Sequence, residues 1–91
     1  MNKNIKLKFY DNESHGYLKI SKYDLEAFKI DIKKFSSYSY YNEIEACYYF
    51  EEDIDAQTLL NQLKDRGYQV NLEDKFVNYH YFENDEFRRI N

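Results

Sequence analysis

The stretch from Tyr38 to Asp55 concentrates the side chains of this sequence that could do chemistry. It holds five tyrosines and six carboxylates in eighteen residues, and it contains no lysine or arginine. Exposed tyrosines supply the rigid, amphipathic contact surface that protein recognition sites favour. Carboxylates at this density need cations nearby, and a basic partner can provide them. The stretch therefore predicts a binding surface for a basic protein. Its predicted contact residues are Tyr38, Tyr40, Tyr41, Glu43, Glu45, Glu51, Glu52, Asp53 and Asp55.

The acidic run over residues 51–55 has three interpretations. Carboxylates before or within the first turn of a helix can accept hydrogen bonds from its free backbone N–H groups and complement its dipole. A calcium or magnesium site would need alternating oxygen ligands around a glycine turn, and the run EEDID lacks both the glycine and the spacing. As a recognition surface, the carboxylates would imitate phosphates and occupy a nucleic-acid channel of another protein. All three interpretations stay open at this point.

The histidines and the cysteine offer little catalytic chemistry. His15 stands before Gly16 in a predicted turn, where it could act as a general base or metal ligand beside the carboxylates, or simply bond the turn backbone. His80 lies in a predicted strand. Cys47 is the sole cysteine and is flanked by apolar and aromatic residues, which favours a buried small side chain over a reactive thiol. No metal, cofactor or catalytic residue is predicted.

The charge of the chain is unevenly distributed. Residues 1–34 carry a net charge of plus three, residues 35–63 carry minus six and residues 64–91 carry minus one, which gives the total of minus four. Binding to phosphates requires a basic stripe, so nucleic acid is not predicted as a direct partner of the central region. The start of the chain has no apolar run long enough for a signal or a membrane span. A cytoplasmic protein without membrane contact is predicted.

The elements that must position these residues fit one domain, because 91 residues leave no room for a second core. Alternation predicts strands over residues 5–10 and 17–20, joined by a turn in which Gly16 could take a positive φ. Ser21 and Asp24 resemble a capping box, and they predict a helix ending near residues 29–34. Its predicted apolar side is formed by Tyr23, Leu25, Phe28 and Ile32.

The second half of the chain repeats the order of two strands and a helix. Strands are predicted over residues 37–41 and 45–51. In the second strand, Ala46, Tyr48 and Phe50 are predicted on one face and Cys47 and Tyr49 on the other. Asp53 or Asp55 would cap a helix that ends at Gly67. Its apolar positions are Ala56, Leu59, Leu60 and Leu63.

The predicted fold class is α+β. Further strands are predicted over residues 69–72 and 76–82, and residues 84–91 are predicted as a loose tail. The order β-β-α-β-β-α-β(β) implies a mainly antiparallel sheet of four to six strands with two helices on one face.

Three segments resemble a family of small phage and mobile-element proteins. They are FYDNESHGYLKIS, FSSYSYYN and YYFEEDIDAQTLL, which match GHGWL-type, YSY and LEEDCDA-type motifs over roughly residues 9–60. Tyr17 stands where Trp is usual, Ser14 where Gly is usual and Ile54 where Cys is common. The resemblance implies a phage source within a bacterial host cell, and it assigns no catalytic residue.

Together these features predict a non-enzymatic inhibitor of a host defence or nucleic-acid-handling protein, with a CRISPR effector as the specific expected target. The tyrosines would fill pockets while the carboxylates meet the Lys and Arg side chains that normally hold phosphates. The main alternative is a structural or assembly module that forms homodimers through its exposed aromatic residues. A third interpretation, a small hydrolase, requires His15 and a carboxylate to converge in a pocket.

Overall fold

A single mixed β-sheet organises the computed structural model, which describes residues 3–90. The described strands are β1 (Lys3–Asp11), β2 (Gly16–Ser21), β3 (Tyr40–Asn42), β4 (Cys47–Glu51), β5 (Tyr68–Phe76) and β6 (Phe87–Arg89). Their order in the sheet is β5-β1-β2-β4-β3-β6. Neighbouring strands are antiparallel except β1 and β5, which run parallel. The predicted α+β class, the element order and the mainly antiparallel sheet are confirmed.

Two helices and a short 3-10 turn accompany the sheet. They are α1 (Lys22–Ala27), the 3-10 turn (Ile32–Lys34) and α2 (Asp55–Asp65). The predicted cap of α1 is confirmed, because the Ser21 hydroxyl accepts a hydrogen bond from the Asp24 N–H at 3.0 Å. The helix is shorter than predicted because Lys29 takes a positive φ of 59°. Tyr23 is 70% exposed, so its predicted place on the apolar side of α1 is wrong.

Helix α2 keeps its predicted apolar side but not its predicted cap. Ala56, Leu59 and Leu63 are buried. The N-cap residue is Ile54, which makes no side-chain cap bond, so neither Asp53 nor Asp55 caps the helix. The end of the helix is as predicted, because Gly67 follows it with a φ of 85° that glycine adopts without strain.

The helix-side face of the sheet carries the main hydrophobic core. Alternate residues of β2 and β4 point toward the helices, and Tyr48 and Phe50 share this face of β4 as predicted. Ala46, predicted on the same face, lies before β4 in a turn with a positive φ of 56°. The fully or largely buried members of this core are Leu7, Leu18, Ile20, Leu25, Ile30, Phe35, Phe50, Ala56, Leu59, Leu63 and Ile90.

A second, aromatic core covers the opposite face of the sheet. Its buried members are Tyr17, Cys47, Tyr49, Phe82 and Phe87. Cys47 is therefore buried, as the sequence predicted. This core exists because the segment between β5 and β6, residues 77–86, folds back across the sheet.

The C-terminal part of the chain differs from the prediction. Residues 79–82 form turns rather than a strand, and residues 87–89 form β6 rather than a loose tail. The physical reason lies in two asparagines. The Asn78 side chain accepts a hydrogen bond from the His80 N–H, and the Asn84 side chain accepts one from the Glu86 N–H, both at 2.8 Å. Such bonds compete with strand pairing and turn the chain.

Gly16 is needed for space rather than for a positive φ. The positive φ in this turn belongs to Glu13, at 78°. A Cβ atom on Gly16 would lie 2.2 Å from the Phe9 ring and 2.8 Å from a Glu52 carboxylate oxygen. The predicted reason for this glycine is therefore wrong, and close packing replaces it.

Candidate functional site

A cavity of about 380 Å³ opens on the aromatic face, beside the ends of β2 and β4. This size lies within the range of ordinary ligand pockets. Its lining residues are Asn12, Ser14, His15, Tyr17, Tyr38, Tyr40, Glu51, Asp53, Ile54, Tyr79, Phe82, Glu83 and Arg89. They come from three parts of the chain, namely residues 12–17 at the turn between β1 and β2, residues 38–54, and residues 79–89 after β5. The site is therefore assembled by the tertiary fold.

The walls of the cavity include a packed group of aromatic rings. The Tyr17 and Phe82 centroids lie 4.4 Å apart, and Tyr40 stacks on Phe82 at 5.5 Å with an interplanar angle of 5°. Tyr17 and Phe82 are buried, while Tyr38 at the rim is 63% exposed. Packing therefore holds the inner rings in place, and the outer ring is available to a partner.

The charged groups of the cavity are predominantly acidic. Glu51, Asp53 and Glu83 contribute carboxylates, and Arg89 contributes a guanidinium. Glu51 is 8% exposed, and its side chain accepts a hydrogen bond from the Asp53 N–H at 3.0 Å. The Arg89 guanidinium lies 4.2 Å from the Tyr40 centroid and donates to the Tyr38 carbonyl at 2.6 Å. Three carboxylates against one guanidinium leave this concave surface acidic.

His15 reaches the cavity through a turn that Asn12 organises. The Asn12 side-chain oxygen accepts from the Ser14 and His15 N–H groups at 3.2 and 2.9 Å, and the Asn12 N–H donates to the His15 carbonyl at 3.1 Å. The imidazole shares the cavity with Glu51 and Asp53, which is the arrangement that the hydrolase interpretation required. Within residues 3–90, no hydrogen bond orients that ring toward either carboxylate. His80 instead contacts the Glu83 carboxylate through its Nδ1 atom.

The predicted contact residues fall into separate places. Four of them, Tyr38, Tyr40, Glu51 and Asp53, line the cavity. Glu52 is exposed and does not line the cavity, and one of its carboxylate oxygens lies 2.8 Å from where a Cβ of Gly16 would sit. The sequence stretch is therefore not one continuous surface.

Three more of the predicted residues interact within the chain. Tyr41 packs against Tyr48 on the helix side, with the ring centroids 4.8 Å apart. Glu43 forms an ion pair with Arg88 at 3.0 Å. Glu45 accepts from the Tyr49 hydroxyl at 2.5 Å and pairs with Lys19 at 3.3 Å. Cations from the same chain thus neutralise part of the acidic stretch.

Asp55 is removed from the surface. It is 1% exposed and accepts hydrogen bonds from the Ser36 N–H, the Ser36 hydroxyl at 2.7 Å and the Ser39 hydroxyl at 2.5 Å. Ser39 in turn accepts from the Glu51 N–H at 2.9 Å. Asp55 therefore links the start of α2 to the segment before β3, and it is not available to a partner.

Sequence reasoning missed the cavity residues outside the central stretch, apart from His15. They include Asn12, Tyr79, Phe82, Glu83 and Arg89. The asparagines at positions 78 and 84 were the signal that could have placed a turn there. Arg89 was missed because the end of the chain was predicted as a loose tail.

The buried tyrosines predict a loss of stability at alkaline pH. Burial raises the pKa of Tyr17 to about 12, and burial together with the bond to Glu45 raises the pKa of Tyr49. Because these pKa values lie above the unfolded value of 10.0, the stabilisation is complete below pH 10 and is lost as pH rises through the folded values. We expect the free energy of unfolding to fall between about pH 10 and about pH 12 in urea titrations.

The control for this prediction is an exposed tyrosine. Tyr49→Phe should flatten the alkaline decline because it removes one buried phenol. Tyr23→Phe should leave the decline unchanged because Tyr23 is 70% exposed. A decline of equal size in both variants would contradict the assignment to buried phenols.

The fold and the cavity define a small α+β domain with a concave, acidic, tyrosine-lined surface. Comparisons with protein families, with curated proteins and with solved structures find no match to this chain. None of the helices in residues 3–90 is long and apolar enough to cross a membrane. The same residues contain no group of three or more His, Cys, Asp or Glu side chains placed to hold a metal ion.

Proposed function

We propose that this protein is a non-enzymatic inhibitor that captures a basic side chain of a host nucleic-acid-handling protein in the aromatic-face cavity. The observation that carries the proposal is that tyrosine rings and the carboxylates of Glu51 and Asp53 line the same cavity. Ring faces attract cations through their quadrupoles, and carboxylates add charge-assisted hydrogen bonds. A lysine or arginine is the ligand that matches both.

The chain itself provides an example of this recognition. The Arg89 guanidinium lies over the Tyr40 ring and bonds to the Tyr38 carbonyl. One cation is therefore already accommodated at the rim, while Glu51 and Asp53 leave an excess of negative charge. This excess favours a second cation, supplied by the partner, over an anionic ligand.

The class of partner follows from the same chemistry. Lys and Arg side chains that line a nucleic-acid channel normally meet phosphates, and carboxylates can take the place of those phosphates. The resemblance to phage and mobile-element proteins directs the proposal toward host defence, with inhibition of a CRISPR effector as the specific case. The contact set is Tyr38, Tyr40, Glu51 and Asp53, with Glu52 outside the cavity as an additional exposed acid.

The proposal predicts that the double variant Tyr38→Ala/Asp53→Lys loses its target. Both positions are exposed, so the fold should persist. We expect capture of a basic nucleic-acid enzyme from host lysate to fall on the order of tenfold at low salt, since a carboxylate becomes a like charge. Phage plating on hosts with CRISPR immunity should fall in parallel when this variant replaces the wild type.

The matched control is Tyr23→Ala/Glu43→Lys, which changes an exposed tyrosine and an exposed acid away from the cavity. It should behave like the wild type in both assays. Equal losses in the two double variants would contradict the assignment to the cavity. Failure of the wild type to recover any basic nucleic-acid enzyme, and to protect phage, would contradict the proposed function.

A hydrolase is the second candidate, because His15 and two carboxylates share the cavity. It is tested by incubating the protein with ester, phosphodiester and peptide substrates. Turnover that His15→Ala abolishes, with the thermal transition unchanged, would replace the inhibitor proposal by an enzymatic one. Turnover insensitive to His15→Ala would indicate a contaminating activity.

A further inference from the structure

Strand β5 leaves one edge of the sheet open. It is nine residues long, and among the described residues its strand neighbour is β1 alone. The opposite edge strand, β6, has three residues. An edge strand presents a row of unpaired N–H and C=O groups, and a long flat edge pairs readily with another strand. The chain contains no proline that could block such pairing.

The side chains of β5 also favour a partner. Leu72 is 48% exposed and Phe76 is 82% exposed, although both belong to a strand of the sheet. On the helix side of the same strand, Tyr68 and Val70 are partly buried against the core. The apolar face of the core therefore continues to the open edge, where within residues 3–90 Leu72 stays half-exposed and Phe76 stays largely exposed.

We propose that two copies of this chain pair through β5 in antiparallel fashion, about a twofold axis at Leu72. Antiparallel pairing across an edge keeps residues of one face opposite residues of the same face. In this register Leu72 lies opposite its own copy, and Tyr68 lies opposite Phe76. On the other face, Asn71 lies opposite Glu73 and Gln69 lies opposite Lys75.

The length and the charges of β5 together select this register. It pairs all nine residues and places no like charges opposite each other. Moving the axis one residue toward the C-terminus would place Glu73 opposite Glu73, and one residue further would place Asp74 opposite Asp74. Like charges directly opposite are destabilising, whereas aromatic pairs stabilise. Val70 lies opposite Asp74, and the other pairs of this register are complementary, as an isologous interface requires.

The dimer would present two cavities at once. Asp11 lies opposite Phe76 in the pairing of β1 with β5, so the turn that follows Asp11 and carries His15 lies at the Phe76 end of the strands. Antiparallel pairing sends the two Phe76 ends in opposite directions along the shared sheet. The cavities then lie at opposite ends of one face, and neither is covered by the interface. This inference stands independently of what the cavity binds.

Disulfide trapping tests the register directly. In a Cys47→Ala background, Leu72→Cys should form a disulfide-linked dimer under mild oxidation, because the paired Cα atoms would lie about 4.5 to 5.5 Å apart. Asn71→Cys should not, because its copy is displaced by two residues, roughly 7 to 8 Å away. The double variant Tyr68→Cys/Phe76→Cys should link again. Ile44→Cys is the control for disulfides that form by random collision, because Ile44 is 76% exposed in the loop between β3 and β4.

Oligomeric state in solution provides the second measurement. Light scattering should give the mass of a dimer for the wild type and of a monomer for Leu72→Asp, with the same thermal unfolding profile per chain at high dilution. A monomeric wild type at every concentration would overturn the proposal. A dimer in which Leu72→Cys links no better than Ile44→Cys would also overturn it.

The variants separate this inference from the proposed function. Leu72→Asp leaves the cavity intact, and Tyr38→Ala/Asp53→Lys leaves β5 intact. A wild-type protein that is monomeric but still captures its target would contradict only the dimer proposal. A wild-type protein that is dimeric but captures no target would contradict only the inhibitor proposal.

Discussion

Replacement of Asp55 by alanine is expected to lower the free energy of unfolding by about 3 kcal/mol. The reason is that Asp55 is 1% exposed and receives hydrogen bonds from Ser36 and Ser39. Alanine would leave the fully buried Ser39 hydroxyl without its acceptor, and hydrogen bonds to a charged group are stronger than neutral ones. Urea unfolding followed by circular dichroism gives the difference directly.

The matched control is Asp53→Ala, two residues earlier and exposed. It should change the free energy of unfolding by less than about 0.5 kcal/mol, as surface substitutions usually do. Asp55→Asn should fall between the two, because it keeps one acceptor oxygen without the charge. An Asp55→Ala protein as stable as the wild type would show that the serine hydroxyls find other acceptors, and it would refute the structural role of this carboxylate.

Phe82→Ala should cost about 4 kcal/mol, the second large effect. Phe82 is 6% exposed, and its ring contacts Tyr17, Tyr40 and Tyr49 at centroid distances of 4.4, 5.5 and 5.4 Å. Removing the ring leaves a void between the sheet and residues 77–86. For a domain of this size the thermal midpoint should fall by roughly 15 °C or more, measurable by calorimetry.

Two controls separate packing from a general loss of hydrophobic surface. Phe82→Leu should cost less than Phe82→Ala, because a branched apolar side chain fills part of the void. Ile44→Ala should be nearly neutral, since Ile44 is 76% exposed. A thermal midpoint for Phe82→Ala equal to that of the wild type would mean that residues 77–86 do not pack on the sheet, and the cavity would then lose one of its walls.

Local patterns in the sequence predicted the elements that depend on local rules. The alternation around Leu7 predicted β1, and the helical spacing of Leu59 and Leu63 predicted α2. The Ser21 cap and the Gly67 end were also predictable, because a cap bond and a positive φ involve residues close in sequence. Together these locally predicted elements make up the α+β order of strands and helices that the structure confirms.

The C-terminal part could not be predicted in the same way. Residues 76–82 alternate like a strand, yet the chain turns at Asn78 and places Phe82 against Tyr17 and Tyr49. Strand β6 pairs with β3, more than forty residues earlier in the chain, with Arg89 opposite Tyr40. Contacts at that separation leave no periodic signal in a single sequence, since their partners are chosen by packing.

The sequence by itself determined the fold class, the element order and an excess of carboxylates and tyrosines in the middle of the chain. The tertiary structure alone decided which of these side chains can meet a partner. In the folded chain Asp55 is buried and hydrogen-bonded to two serines, and Glu43 is paired with Arg88. The remaining contact residues that line one cavity are Tyr38, Tyr40, Glu51 and Asp53. The physical reason is that composition and periodicity are local properties, whereas burial and charge pairing depend on segments brought together from distant parts of the chain.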